Sequence, residues 1–259
     1  MILRPDGDGG AVVAIGQASH AWLSGQLARA WGNGRFAAPE PREEVCLGAL
    51  QHDVGMAAWD LRPSRHPDTG LPVQFFELDR RTHLALWTAA PGRILSQSRY
   101  AALLVSLHGT GLYERFPPRT DDPEVARAVA GYLAGQHALQ LALAAQLGAP
   151  AQELARNQAL LAAWDDLSLA LCRDEPGPHV VPQVPAGPDG GGDDRVSLTL
   201  KRGADGDFVL EPWPFAAAAL TVRAEGRRLD GPAPDEEALH TALDRAPVLT
   251  VTMALRNHR

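Results

Sequence analysis

The chain has 259 residues and a formal net charge of −7, with 24 Lys and Arg against 31 Asp and Glu. That length can bury a substantial core without staples. The acidic balance, with no basic cluster to track phosphates, argues against nucleic acid as a partner. Cys46 and Cys172 fall in apolar stretches and are expected to be buried thiols in a reducing cytoplasm, not a disulfide framework. No leader-like segment follows Met1, and the apolar runs break well short of the roughly 20 residues a bilayer requires, so neither export nor a membrane span is expected.

Residues 1–4 and 11–15 read as two strands around a turn running from Asp6 to Gly10, because Asp-Gly between β-branched residues is a hairpin signal. Helical texture follows over 19–31, 42–60, 78–89, 91–107, 123–147 and 151–173, with Gly32, Pro91, Pro123 and Gly148 near the expected ends. The stretch 61–77, with Pro63, Pro67 and Pro72, reads as a lid or binding loop. Residues 174–194 are dense in Pro and Gly and read as a flexible linker. Beyond it, 196–201, 208–211, 217–224 and 248–255 read as strands and 235–244 as a short helix. The expected architecture is mainly α: a hairpin and helical bundle over 1–173, a linker over 174–194, and a small C-terminal antiparallel α+β module over 195–259. The hairpin could share that module's sheet.

The residues that carry chemistry begin with His52-Asp53, which ends an apolar helical segment. Neighbours on a helix point about 100° apart, so both can reach one ion only near a helix end or across two ions. His20, His83 and His108 sit within or beside apolar runs on separate helices. Each alone reads as a core histidine bonded to a backbone carbonyl, but with His52 they suggest a metal site. Asp165-Asp166 interrupts an Ala/Leu helix, where an unpaired buried charge is costly. Helical phase makes Asp165 the ligand and Asp166 an outer partner or a surface group. Imidazole and carboxylate suit Fe, Mn, Zn or Co, and the two cysteines are misplaced for a thiolate site.

Asp60, seven residues after Asp53, returns to the same face if the helix continues, and could then orient a ligand or substrate; the alternative is a solvated helix-end carboxylate. Gln17 and Gln136 are outer-partner candidates with the same surface alternative. Gly109 and Gly111 read as a helix end in preference to a phosphate nest.

In chain order, His20, His52-Asp53, His83, His108 and Asp165 resemble the dinuclear branch of the HD superfamily. The resemblance implies an HD-type helical bundle holding two divalent or mixed-valent ions, Fe foremost, with Mn or Zn as alternatives. Asp53 would bridge, His20, His52 and Asp165 would complete one metal, and His83 and His108 would serve the other. A narrower resemblance, carried by Trp59-Asp60, Pro67-Asp68-Thr69-Gly70, residues 103–112 and residues 164–172, is to an uncharacterised bacterial HD-like family and brings no reaction with it.

Asp53 and Asp60 are the candidate catalytic carboxylates, and a small molecule is the expected partner, with oligomeric state open. Oxidation of a small polar substrate, similar to the mixed-valent di-iron oxygenases, is favoured by the dinuclear pattern and by sparse cations around it. Metal-assisted phosphoester hydrolysis is the alternative. It wants cationic clamps, for which Arg62, Arg65, Arg80 and Arg81 are nearest in sequence. A non-catalytic metal-binding regulator is the third reading.

Overall fold

The computed structural model describes residues 1–7, 10–117, 121–187 and 194–258. Side-chain alternation along its strands decides which face each residue serves. In β2 (Val12–Ile15), Val13 and Ile15 enter the main core, while Ala14 faces the other side and joins a smaller apolar cluster. β1 (Ile2–Pro5) pairs antiparallel with it, Ile2 opposite Ile15. Asp8 and Gly9, inside the expected turn, lie outside the described residues. The free edge of β2 pairs with β6 (Ala219–Leu229), Val12 opposite Leu229. The sheet continues through β7 (Val248–Asn257), β5 (Phe208–Glu211), β4 (Arg195–Arg202) and β3 (His179–Pro185), giving the order β1-β2-β6-β7-β5-β4-β3. Every neighbouring pair is antiparallel except β5 with β7.

Helices α1 (Gln17–Ala30) and α7 (Ala151–Arg173) lie against this sheet. α2 (Arg42–Gln51) packs on α1, and α5 (Arg99–Arg115) packs on α2. α4 (Arg80–Ile94) and α6 (Pro123–Leu147) flank α5. The short α3 (Ala57–Asp60) follows a single 3-10 turn, Val54–Met56. α8 (Glu236–Arg245) covers the opposite face of the hairpin end, where Leu239 and Leu243 meet Met1, Ala14 and Leu229. Among the described residues, no helix is long and apolar enough to cross a membrane.

This architecture corrects the expectation of a mainly α, HD-type bundle with a small C-terminal module. About half the chain is helix and about a fifth is strand, and all seven strands join one curled mixed sheet. Two features hid it. The hairpin at one end of the chain and the strands at the other complete each other, a long-range pairing that no local pattern reveals. The stretch expected to be a linker also holds β3, an edge strand. Pro182, and Gln183 at φ 59°, interrupt its ladder between Val181 and Val184, and such interruptions are tolerated at an edge. Residues 188–193 of that stretch lie outside the described residues.

The helix boundaries shift for local reasons. Ser98 caps α5 by accepting from the Ala101 amide, so Pro91 stays inside α4 and the next helix starts eight residues later than a proline signal suggests. α5 then runs through Gly109 and Gly111 to Arg115, so the glycine pair does not end it. A Cβ at Gly109 would stand 2.7 Å from Trp87 and collide with the Tyr132 hydroxyl. That glycine lets α4 and α6 close on α5.

Candidate metal centre

α2 ends at Gln51, which places His52 at its C-cap and lets Asp53 step out of helical geometry at φ −101°, ψ 18°. The break resolves the angular conflict between adjacent residues, since both side chains now turn towards α1. Gly55 makes the turn possible, because a Cβ there would strike the Leu86 carbonyl oxygen of α4.

His20 on α1, His52 after α2 and Asp165 on α7 meet in the interior, and form a cluster that could hold a metal ion. His20 Nε2 and His52 Nε2 are 3.2 Å apart, and Asp165 Oδ1 lies 3.6 Å from the first and 3.3 Å from the second. Asp53 Oδ2 lies 2.8 Å from His20 Nε2 and 3.6 Å from His52 Nε2, and accepts from Gln17 Nε2 at 3.0 Å. His108 Nε2 is 3.5 Å from Asp165 Oδ2. All six of these residues are buried.

Hydrogen bonds on the far side of each ring define its orientation. His52 Nδ1 is 2.9 Å from the Ala49 carbonyl oxygen, an acceptor only, so Nδ1 carries the proton. His20 Nδ1 is 2.7 Å from Ser168 Oγ, whose own proton goes to the Asp165 carbonyl oxygen. Ser168 therefore accepts from His20 Nδ1–H. Both Nε2 atoms, in the neutral rings, present lone pairs to each other and to two carboxylates. A convergence of acceptors this deep in an apolar interior requires a cation at its centre, either a proton or a metal.

The electrostatics carry the same message. Burial pulls the His52 imidazole down, but Asp53 and Asp165 outweigh it and push its pKa up to about 9. Burial pushes both carboxyls up, yet the neighbouring histidines hold Asp53 and Asp165 below the usual carboxylate range.

A metal also fits the spacing. Donor atoms around a tetrahedral ion at about 2.0–2.2 Å stand ~3.3–3.6 Å apart, close to the 3.2, 3.3 and 3.6 Å sides of the His20–His52–Asp165 triangle. The outer hydrogen bonds from Nδ1 to Ser168 and Ala49 are the kind that orient ligating histidines.

The remaining sequence candidates are placed differently. His83 lines the same cavity, but Trp87 Nε1 donates to its Nε2 at 3.2 Å and its Nδ1 is 2.5 Å from the Tyr113 hydroxyl. Both ring nitrogens are engaged, and burial with Arg80 nearby lowers its pKa to about 4. Asp60 stands apart from the cluster, because the helix that would have aligned it with Asp53 is broken. Its Oδ2 accepts from the Gln17 amide at the start of α1, its Oδ1 lies 3.3 Å from the Met1 nitrogen, and burial raises its pKa. Gly16 admits that carboxylate, since a Cβ there would stand 3.0 Å from Asp60 Oδ2. Gln136 is bonded to Ser106 between α5 and α6, away from the cluster. Asp166 lines the cavity and pairs with His179 at 2.9 Å.

The cavity in front of the cluster holds about 270 Å³ and is walled by Met56, Phe75, Trp87, Leu112 and Phe116 around Asp53 and Asp165. The 61–77 loop supplies Phe75 and is pinned at both ends. Arg65 donates to the Ala233 carbonyl at 2.7 Å, and the Phe75 amide donates to the Met1 carbonyl at 3.1 Å. Of the four arginines nearest in sequence, Arg62 pairs with Asp244, Arg65 with that carbonyl, and Arg81 with Glu124, while Arg80 lies 5.6 Å from the Tyr113 ring. The cation that does line the cavity is Arg115, seven residues after His108 on α5. Sequence reasoning missed it, and missed Ser168, although the spacing of three from Asp165 places Ser168 on the same helical face.

These features define an α/β protein whose helical layer buries a histidine–carboxylate cluster beside an apolar cavity. The family described as "Protein of unknown function (DUF3891)" matches residues 1–231, a span that includes the whole cluster and its cavity, and the chain belongs to that family. No curated protein and no solved structure matches the chain.

Proposed function

We propose that this chain is a metal-dependent hydrolase that holds one divalent transition ion on His20, His52 and Asp165, with Asp53 beside it. The observation that carries the reading is the convergence of two Nε2 lone pairs and a carboxylate oxygen at 3.2–3.6 Å, each ring fixed from behind. A bound ion of this kind acts as a Lewis acid and lowers the pKa of a coordinated water.

The protein's own contribution is orientation and exclusion. Gln17 Nε2 donates to Asp53 Oδ2 and fixes the carboxylate beside His20 at the cluster. Phe75, Trp87, Leu112 and Phe116 limit access by water to the cavity. The order His20, His52-Asp53, Asp165 resembles the HD superfamily, and phosphoesters are the substrate class that resemblance suggests.

Hydrolysis is preferred to oxidation because of His83. A second, histidine-rich iron position needs its Nε2, which accepts from Trp87 instead. Hydrolysis requires only a Lewis acid.

Protein purified without added metal should carry about one transition ion per chain. It should hydrolyse 4-nitrophenyl phosphate without oxygen, lose that activity to a chelator and regain it with Mn²⁺ or Zn²⁺. Two irons per chain with substrate-dependent oxygen uptake would replace this reading by oxidation. Failure to bind any transition ion would remove it.

A further inference from the structure

His108, Leu112 and Arg115 form one stripe on α5, at positions i, i+4 and i+7. The stripe walls the cavity in front of the cluster, and the same three residues wall a second cavity of about 230 Å³ between α5 and α7. Gly111, Ala159 and Ala162 leave that second space open, with Gln158 at its edge.

Two side chains on the stripe keep polar atoms without a hydrogen bond to the protein. His108 is 3% exposed; its Nε2 lies 3.5 Å from Asp165 Oδ2, and neither ring nitrogen makes a hydrogen bond to any described residue, unlike His20 and His52, whose outer nitrogens are both tied. Arg115 makes no ion pair with any described carboxylate, and its guanidinium rests 4.9 Å from the Phe116 ring centroid. A buried ring nitrogen that faces a cavity without a hydrogen bond is costly unless a ligand completes it. A guanidinium free of protein carboxylates at the same cavity presents a planar fork suited to an oxyanion.

We infer that the α5 stripe is the substrate-recognition element, with Arg115 binding an oxyanion group of the substrate and His108 hydrogen-bonding the part nearer the cluster. The inference rests on the hydrolase reading and adds the substrate class. Seven residues of helix rise about 10 Å, so the anionic group stands well away from the bond that reacts. Phe75, Leu112 and Phe116 lie alongside that separation. The substrate is therefore an organic anion with an apolar or aromatic body between its charged end and its reactive end. Arg115 is a specificity residue in this arrangement and takes no part in bond breaking.

Benzylphosphonate, a non-hydrolysable aromatic oxyanion, tests this against its neutral counterpart benzyl alcohol, by isothermal titration of wild type, Arg115→Gln and Arg115→Lys. Arg115 is exposed at the cavity mouth, so both variants should fold, and circular dichroism checks that. Arg115→Gln should weaken benzylphosphonate about ten-fold or more, Arg115→Lys should fall between, and benzyl alcohol should bind all three alike. Equal binding of benzylphosphonate to wild type and Arg115→Gln would overturn the inference, as would no binding to wild type. Metal content, measured on the same samples, separates the two readings. Arginine-dependent binding in a chain that takes up no ion sinks the hydrolase and keeps the recognition site. A metal-loaded chain indifferent to Arg115→Gln does the reverse.

Discussion

Two corners of the fold hold histidines, fully buried in one and partly buried in the other, and they use them in opposite ways. At the junction of α1, α2 and α7, His20 and His52 give their Nδ1 protons to Ser168 and Ala49 and turn their Nε2 atoms inwards to two aspartates. At the junction of α4 and α5, His83 gives one nitrogen to Tyr113 and the other to Trp87, and no carboxylate among the described residues pairs with it. Burial lowers the pKa at both His52 and His83, and the partners make the difference. Carboxylates push the His52 pKa up to about 9 against burial, whereas at His83 burial and Arg80 outweigh the more distant Asp53 and Asp79, and the pKa falls to about 4. A buried histidine becomes a candidate ligand when its outer nitrogen is tied and its inner one is not.

The sharpest way to break this comparison is to remove the shared carboxylate. Asp165 stands within 3.6 Å of both Nε2 atoms, so Asp165→Ala should reduce metal affinity by more than about 100-fold. Ser168→Ala keeps every inward-facing atom and removes only the acceptor behind His20, so its loss should be about ten-fold. Competition with a fluorescent chelator reads both. Equal occupancy in Asp165→Ala and wild type would mean that Asp165 is not a ligand, and no metal in either would mean that the cluster is held by protons alone.

His83→Leu probes the other corner. It leaves the Trp87 N–H and the Tyr113 hydroxyl without their partner among residues 4% exposed, and should cost about 2 kcal/mol of stability in urea unfolding. Metal content should stay at the wild-type level. Loss of metal from folded His83→Leu would make His83 a ligand and restore the dinuclear pattern.

Much of the first corner was legible in the sequence because it rests on short-range rules. His52-Asp53 was recognisable as needing a helix end, and Asp165 was separable from Asp166 by helical phase. Asp60 failed because its alignment depended on a helix continuing past Gln51, and Gly55 against Leu86 of α4 is a tertiary reason for it to stop. His83 was indistinguishable from a ligand in sequence, since Tyr113 reaches it only after α4 and α5 pack. The sheet was obscured for a related reason. β2 finds β6 across more than two hundred residues, and β3 carries the Pro-rich texture of a linker. Arg115 was overlooked because proximity in sequence favoured arginines that prove to be paired elsewhere.

A third histidine setting, with His179 beside Asp166, sharpens the comparison by sitting between the two extremes. His179 on β3 bonds Asp166 through Nε2 at 2.9 Å and approaches Glu175 through Nδ1 at 3.2 Å, but both partners are partly open to solvent. The hydrogen bond to Asp166 leads in raising the His179 pKa, with both carboxylates adding charge and burial opposing. A histidine whose pKa is raised on folding contributes stability fully below its unfolded value, about 6.5, and loses that contribution as pH rises through the folded value. Solvent screening keeps the effect below about 1 kcal/mol. Melting His179→Gln beside wild type should therefore show the largest gap near pH 5.5, closing by pH 9. A gap that widened with rising pH would mean that the neutral ring, not the imidazolium, is what Asp166 favours. His179 would then resemble His83 more than His52.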